Sequence, residues 1–253
     1  MTILSEDIVG YPVASVSAAA LVAEVMAWIA APGGSCRYFA CINPHAVEVA
    51  RSDAEFRAAL LGADFLVPDG IGIVYASRVL GGGIRERVTG TDVFLATCAA
   101  QQAAGGGRCF FLGSTEPTLA AIRARLARDF PALEVVGSLS PPFKPAFSVA
   151  DSERMVEAVN ASGAEVLWVG LTAPKQEKWI REQQGRLAVR FAGPIGAAFD
   201  FYAGRIRRAG PTLQRLGLEW LPRLLQEPRR LWRRMGISAP RFVGSVIAAR
   251  LKR

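Results

Sequence analysis

The sequence predicts a Rossmann-like, doubly wound α/β fold, in which helices cover both faces of a mostly parallel sheet, followed by a basic amphipathic helical appendage. Short apolar runs rich in Val, Phe and Leu alternate with amphipathic stretches through residues 1–203. The runs are apolar throughout rather than at every second residue, which suits strands buried on both faces of a parallel sheet. Charge is also unevenly spread. Residues 204–253 carry 13 Lys and Arg against two acids, Glu219 and Glu227, whereas residues 1–203 carry 17 basic against 20 acidic residues.

Taken in order, strands are predicted at 37–42 (RYFACI), 64–67, 109–112, 133–136, 165–169 and 188–192. Helices are predicted at 45–61, 90–104, 115–130, 149–161 and 174–185, and the alternation of the two kinds is what argues for a doubly wound sheet. Two glycine runs, 81–83 and 105–107, lack both the lysine of a Walker A loop and a GxGxxG pattern opening a helix, so they read as flexible loops. After Gly204 the pattern changes to three short basic helices at 211–225, 228–235 and 240–251. The expected division is therefore a core over 1–203 and an appendage over 204–253.

At 253 residues the chain is long enough to bury a sizeable core. No stretch of about 18 residues is free of charge, so a spanning helix is not expected. The N-terminal MTILSEDIVG places Glu6 and Asp7 where a secretory signal would carry basic residues, which points to the cytoplasm. Cys36, Cys41, Cys98 and Cys109 show no CxxC spacing and His45 is the sole histidine, so no metal site and four reduced thiols are expected. In the tail, Trp220, Leu221, Leu224, Leu225, Leu231 and Trp232 lie among Arg223, Arg229, Arg230, Arg233 and Arg234. That composition suits a helix lying in an anionic lipid interface; the alternative is a helical cap on the core with solvated arginines.

Asp69, in LVPDGIG, follows a predicted buried strand. A carboxylate at the carboxyl edge of a parallel sheet lies where such folds bind ligands and could take a proton from a sugar hydroxyl; equally, it could be a helix N-cap. Asn43, in CINPH, leaves the first strand similarly and could bind a ligand or shape the Asn-Pro turn. FFLGSTEPT, containing Gly113 and Ser114, and VGLTAPKQE each run a strand into a Ser/Thr and a Pro. These turns could hold phosphate on free backbone N–H groups or could simply be well capped. There is no DxD motif, so departure of a nucleoside diphosphate would rest on arginines such as Arg87 and on helix N-termini.

The ordered segments NPHAVEVA, ADFLVPDGIGIV, RVTGTDVF, FFLGSTEPT, VGLTAPKQEKWI, GPIGAAFDFYAGRIRRAGP and GLEWLPRLLQEPRRLWRR resemble the WecG/TagA/CpsF family of bacterial glycosyltransferases, from about Asn43 to about Arg234. The resemblance implies an inverting transfer, without metal or cofactor, of a hexose-type sugar from a UDP donor to an undecaprenyl-diphosphate-linked saccharide. The reaction would serve surface polysaccharide or wall polymer assembly at the inner face of the plasma membrane. It implies that Asp69 is the base, that Asn43, Arg87 and Gln176 contact the donor, and that Arg223, Arg230 and Arg233 are the appendage's functional arginines. A threonine common in the family two positions before the asparagine is Cys41 here, a weaker hydrogen-bond partner. The rival from another class is a nucleotide- or nucleic-acid-binding regulatory protein. Against it, no nucleic-acid motif is present and the tail arginines are interleaved with Trp and Leu. A nicotinamide-dependent oxidoreductase is disfavoured by the missing dinucleotide glycine fingerprint.

Overall fold

The computed structural model describes residues 3–31, 33–206 and 234–252. An eight-stranded sheet runs in the order β1-β2-β4-β3-β8-β7-β5-β6, parallel except for the β1–β2 hairpin. The six strands expected from sequence are β3 (Arg37–Ile42), β4 (Phe65–Pro68), β5 (Gly107–Gly113), β6 (Leu133–Leu139), β7 (Val166–Gly170) and β8 (Phe191–Pro194). β1 (Ser5–Ile8) and β2 (Tyr11–Ala14) are additional to them. Their two-residue turn puts both Val9 (φ 47) and Gly10 (φ 90) in the left-handed region. Asn-Gly or Asp-Gly would advertise such a turn, and a β-branched residue there does not.

Helices cover both faces, and the alternation of side chains along the strands divides the core accordingly. Val166 and Trp168 of β7 join Cys109 and Phe111 of β5 under α1 (Ala18–Ala30), α5 (Gly90–Ala103), α6 (Glu116–Asp129) and the short α9 (Ala198–Tyr202). Leu167 and Val169 face the other way with Phe110 and Leu112, beneath α7 (Val149–Ala161) and α8 (Lys175–Gln183). On that second face Ala40 and Ile42 of β3 lie beneath α2 (Pro44–Ser52), α3 (Ala54–Leu61) and α4 (Ile71–Leu80). An aromatic layer ties the first face together: Phe39 stacks on Phe65 and Phe191, and Trp168 meets Phe94 edge-on with centroids 5.0 Å apart. Such pairs add about 1 kcal/mol each beyond their area.

Two expectations about local structure are corrected. The helix expected over 45–61 is two, because Asp53 leaves helical geometry (φ −122, ψ 92) and its Oδ1 accepts from the Phe56 N–H at 2.9 Å, capping α3. Nor is the 81–83 glycine run an unattached loop. Gly81 ends α4 in the left-handed region at φ 80, and the Glu6 carboxylate of β1 accepts from the Gly83 N–H at 2.6 Å and from the Ser77 hydroxyl.

Of the expected tail helices, 211–225 and nearly all of 228–235 lie outside the described residues. A π-helical turn at Arg234–Ser238 leads into α10 (Ala239–Leu251), which matches the third. Phe242 and Val246 of α10 are 2% and 5% exposed and share a core cluster with Val47, Ile73 and Val74. His45 Nδ1 lies 2.9 Å from the Ser238 Oγ, and Arg51 donates to Ser245. This last helix is packed on the core. No helix among the described residues is long and apolar enough to cross a membrane.

Candidate active site

Ile42 of β3 pairs in parallel register with Pro68 of β4, so the residues that follow, Asn43 and Asp69, leave the carboxyl edge side by side. Asn43 is the N-cap of α2, its Oδ1 accepting from the Ala46 N–H at 2.9 Å, while its Nδ2 donates to Asp69 Oδ2 at 3.3 Å. The turn-shaping role read for Asn43 is therefore formed, and the same side chain also reaches Asp69. Asp69 is not an N-cap: that position of α4 belongs to Gly70, whose φ of +105 turns the chain into the helix. The Asp69 N–H is shared between the carbonyls of Ile42 and Val67, each at 2.9 Å. Backbone and Asn43 together set the position of the carboxylate.

Cys41 of β3 lies just inside this edge. A Cβ placed on Gly90 would sit 3.4 Å from its Sγ. Burial raises the thiol well above its ordinary range, with the charges of Asp69 and Glu177 adding to the effect, so it presents a protonated S–H beside them. The Val88 N–H donates to the Pro68 carbonyl at 3.0 Å, which stitches the loop carrying Arg87 to the end of β4.

Further along the same edge, Gly113 (φ +119) and Ser114 (φ +57) end β5. The strand ends are close here: a Cβ on Gly113 would sit 2.5 Å from the Gly170 carbonyl oxygen, which accepts from the Ser114 N–H at 3.1 Å. The expected Ser/Thr caps are not formed. Thr115 occupies the N-cap position of α6, yet its hydroxyl pairs with Thr118 and accepts from Arg205 Nη1 at 3.1 Å. Arg205 also donates to the Thr118 Oγ1 at 2.6 Å. A cation from what sequence reading assigned to the tail therefore sits at the start of α6. At α8 the N-cap is Pro174, and Thr172 lies at φ +54.

Gln176 is buried beneath the exit of β8, where a Cβ on Gly196 would approach its Oε1 to 3.2 Å. Its Nε2 donates to Glu177 Oε1 at 2.9 Å. Glu177 belongs to the same PKQE segment but is not among the residues that sequence reasoning singles out. It is 2% exposed, and burial pushes its carboxyl up to about 7 against the hydrogen bond from Gln176. Its one sequence signal is that Glu177 lies three residues before Ile180, on the same side of α8.

Between Asn43 after β3 and Ser114 after β5 stand β8 and β7, so the polar edge spans about 14 Å at the usual strand spacing. Outgoing chain turns to opposite faces here, from β3 into α2 on one and from β8 into α9 on the other. Such a switch point is where doubly wound sheets bind ligands. Arg223, Arg230 and Arg233 lie outside the described residues, and among the described residues no three His, Cys, Asp or Glu side chains are grouped to hold a metal ion.

Fold and site together define a doubly wound α/β protein with its polar site at the strand carboxyl ends. More particularly, the chain belongs to the glycosyl transferase WecG/TagA/CpsF family, whose model matches residues 6–253, and it is a glycosyltransferase. It is similar to the N-acetylglucosaminyldiphosphoundecaprenol N-acetyl-beta-D-mannosaminyltransferase of Bacillus spizizenii, at 33% identity over 207 residues, 81% of this chain and 76% of that protein. A Bacillus subtilis protein of the same description is 26% identical over 206 residues, 81% of this chain and 77% of its own length.

Proposed function

We propose that the protein transfers a hexose-type sugar from a UDP donor to a saccharide carried on a polyprenyl diphosphate, with inversion and without a metal. The observation that carries this is the Asn43–Asp69 pair at the carboxyl edge. Asp69 takes the proton from the acceptor hydroxyl as its oxygen bonds to the anomeric carbon; the bond to the diphosphate oxygen breaks and its electron pair leaves with UDP. Asn43 keeps the carboxylate aimed. The first turn of α6, which follows Gly113 and Ser114, offers its backbone N–H groups to the diphosphate, and Arg205 adds a cation, joined by Arg87 and by Arg223, Arg230 and Arg233. Gln176 and the Cys41 thiol border the sugar. Residues 1–203 form the donor-binding core, and 204–253 bring it to the anionic inner face of the plasma membrane as a peripheral protein.

The activities named for both Bacillus relatives support a lipid-diphosphate acceptor and make N-acetylmannosamine the first sugar to test. A screen of UDP-glucose, UDP-N-acetylmannosamine and UDP-N-acetylmannosaminuronate on a short-chain lipid diphosphate N-acetylglucosamine acceptor tests the reading. Turnover of one donor is expected; no transfer from any of the three, with the protein folded, sinks it.

A further inference from the structure

A groove of about 190 Å³ runs between α4 and α10. Phe242 and Val246 form its floor, with Tyr75 and Val79 on one wall and Val243 and Ile247 on the other. The four wall residues are 53%, 48%, 53% and 52% exposed, a cluster of large apolar side chains facing solvent together. Scattered exposed apolar residues are ordinary; a contiguous concave patch marks a binding surface.

The place of the groove says what it would bind. One end is bounded by Pro44, next to Asn43, and by Gly72, three residues beyond Asp69. Gly72 permits this junction, for a Cβ there would lie 2.6 Å from the Pro44 Cγ. The groove is thus lined by the residue after Asn43 and by one three positions after Asp69. Its margins are basic: the Arg78 guanidinium lies 5.9 Å from the Tyr75 ring centroid, α10 bears Arg241 and Arg250 with Lys252 just beyond, and α10 contains no acid. About 150 Å³ of apolar cavity holds a benzene, so this volume suits about one isoprene unit. An amphiphile with an anionic diphosphate head and a hydrocarbon chain matches both features. A flat bilayer contact would not call for the concavity.

We infer that the α4–α10 groove seats the leading isoprene of the chain of a lipid-diphosphate acceptor, orienting the acceptor saccharide toward Asp69. The inference rests on the acceptor class proposed above. It is tested by assaying the full chain in detergent, without vesicles, on two acceptors with the same saccharide diphosphate: one on an isoprenoid chain, the other on a short alkyl chain. The native protein should favour the isoprenoid acceptor in kcat/KM by about tenfold, the effect of burying roughly two methylene groups. The variant carrying Val79→Asp and Val243→Asp should bring that ratio close to one, whereas Val79→Leu should keep it. Both aspartates replace half-exposed residues, and a thermal melt checks that the variant folds. A native ratio near one overturns the groove alone and needs no variant. A tenfold preference that survives the two aspartates also overturns it. A native protein inactive on both acceptors overturns the acceptor reading itself.

Discussion

Replacing Glu177 with glutamine should change how the protein's stability depends on pH. The carboxyl is 2% exposed and titrates at about 7 rather than its ordinary 4.5, chiefly because burial penalises its charged form. Its Oε1 accepts from the Gln176 amide, and its charge bears on the Cys41 thiol and the Tyr38 phenol. The folded protein therefore keeps this proton over a range in which the unfolded chain has released it. The stability it contributes is fully present below about pH 4.5 and is lost as pH rises through about 7. That displacement corresponds to about 3 kcal/mol. Glutamine has no proton to lose and retains an oxygen for the Gln176 Nε2, so the variant should lack this component of the pH dependence. Urea unfolding of both proteins near pH 4.5 and near pH 8 measures it: the variant's stability relative to the parent should rise by about 3 kcal/mol between the two. Every other titrating group cancels in the comparison. Equal pH slopes for the two proteins would show that Glu177 is ionised in the fold, and the assignment of a neutral carboxyl behind the site would be abandoned.

Asp69→Asn should leave folding and UDP binding intact while lowering the transfer rate by about 100- to 10,000-fold, the usual range for a lost general base; turnover within threefold of the parent rules Asp69 out as the base. Activity should survive EDTA, and a loss restored by Mg²⁺ or Mn²⁺ would refute transfer without metal. Phe242→Ala should destabilise the protein by about 3 kcal/mol, since the ring is 2% exposed in a cluster shared with α2 and α4; an unchanged midpoint in denaturant would mean that α10 does not dock in solution. For the same reason, truncation after Gly204 should lower core stability as well as activity, which a melt of the truncated chain reads directly.

Legibility in the sequence follows how local the determining physics is. Five of the six expected strands, β3, β4, β5, β7 and β8, are readable because burial on both faces leaves continuous apolar runs such as CFFL and VLWV, and the edge strand β6 is readable from its LEVV. The Asn43 and Asp69 positions are readable because each directly follows such a run. The β1–β2 hairpin is not, since Val9-Gly10 makes its turn without the residues that normally announce one. Asp53 is hidden inside a helical pattern because the break rests on a single side-chain cap, worth about 1 kcal/mol, between two helices that pack on the same core cluster.

By itself, then, the sequence determined the fold class, the carboxyl-edge position of Asn43 and Asp69, and the confinement of excess basic charge to residues 204–253, because hydrophobic period and charge are properties of neighbours along the chain. Only the tertiary structure decided that Asn43 holds Asp69, that Glu177 is buried beside Gln176, that Arg205 reaches the start of α6 and that α10 closes a groove against α4. Asn43 and Asp69 are 26 residues apart, and Arg205 and Thr118 are 87 apart. Contacts across such separations exist only once the sheet order has brought strand ends together, and neither period nor propensity encodes that order.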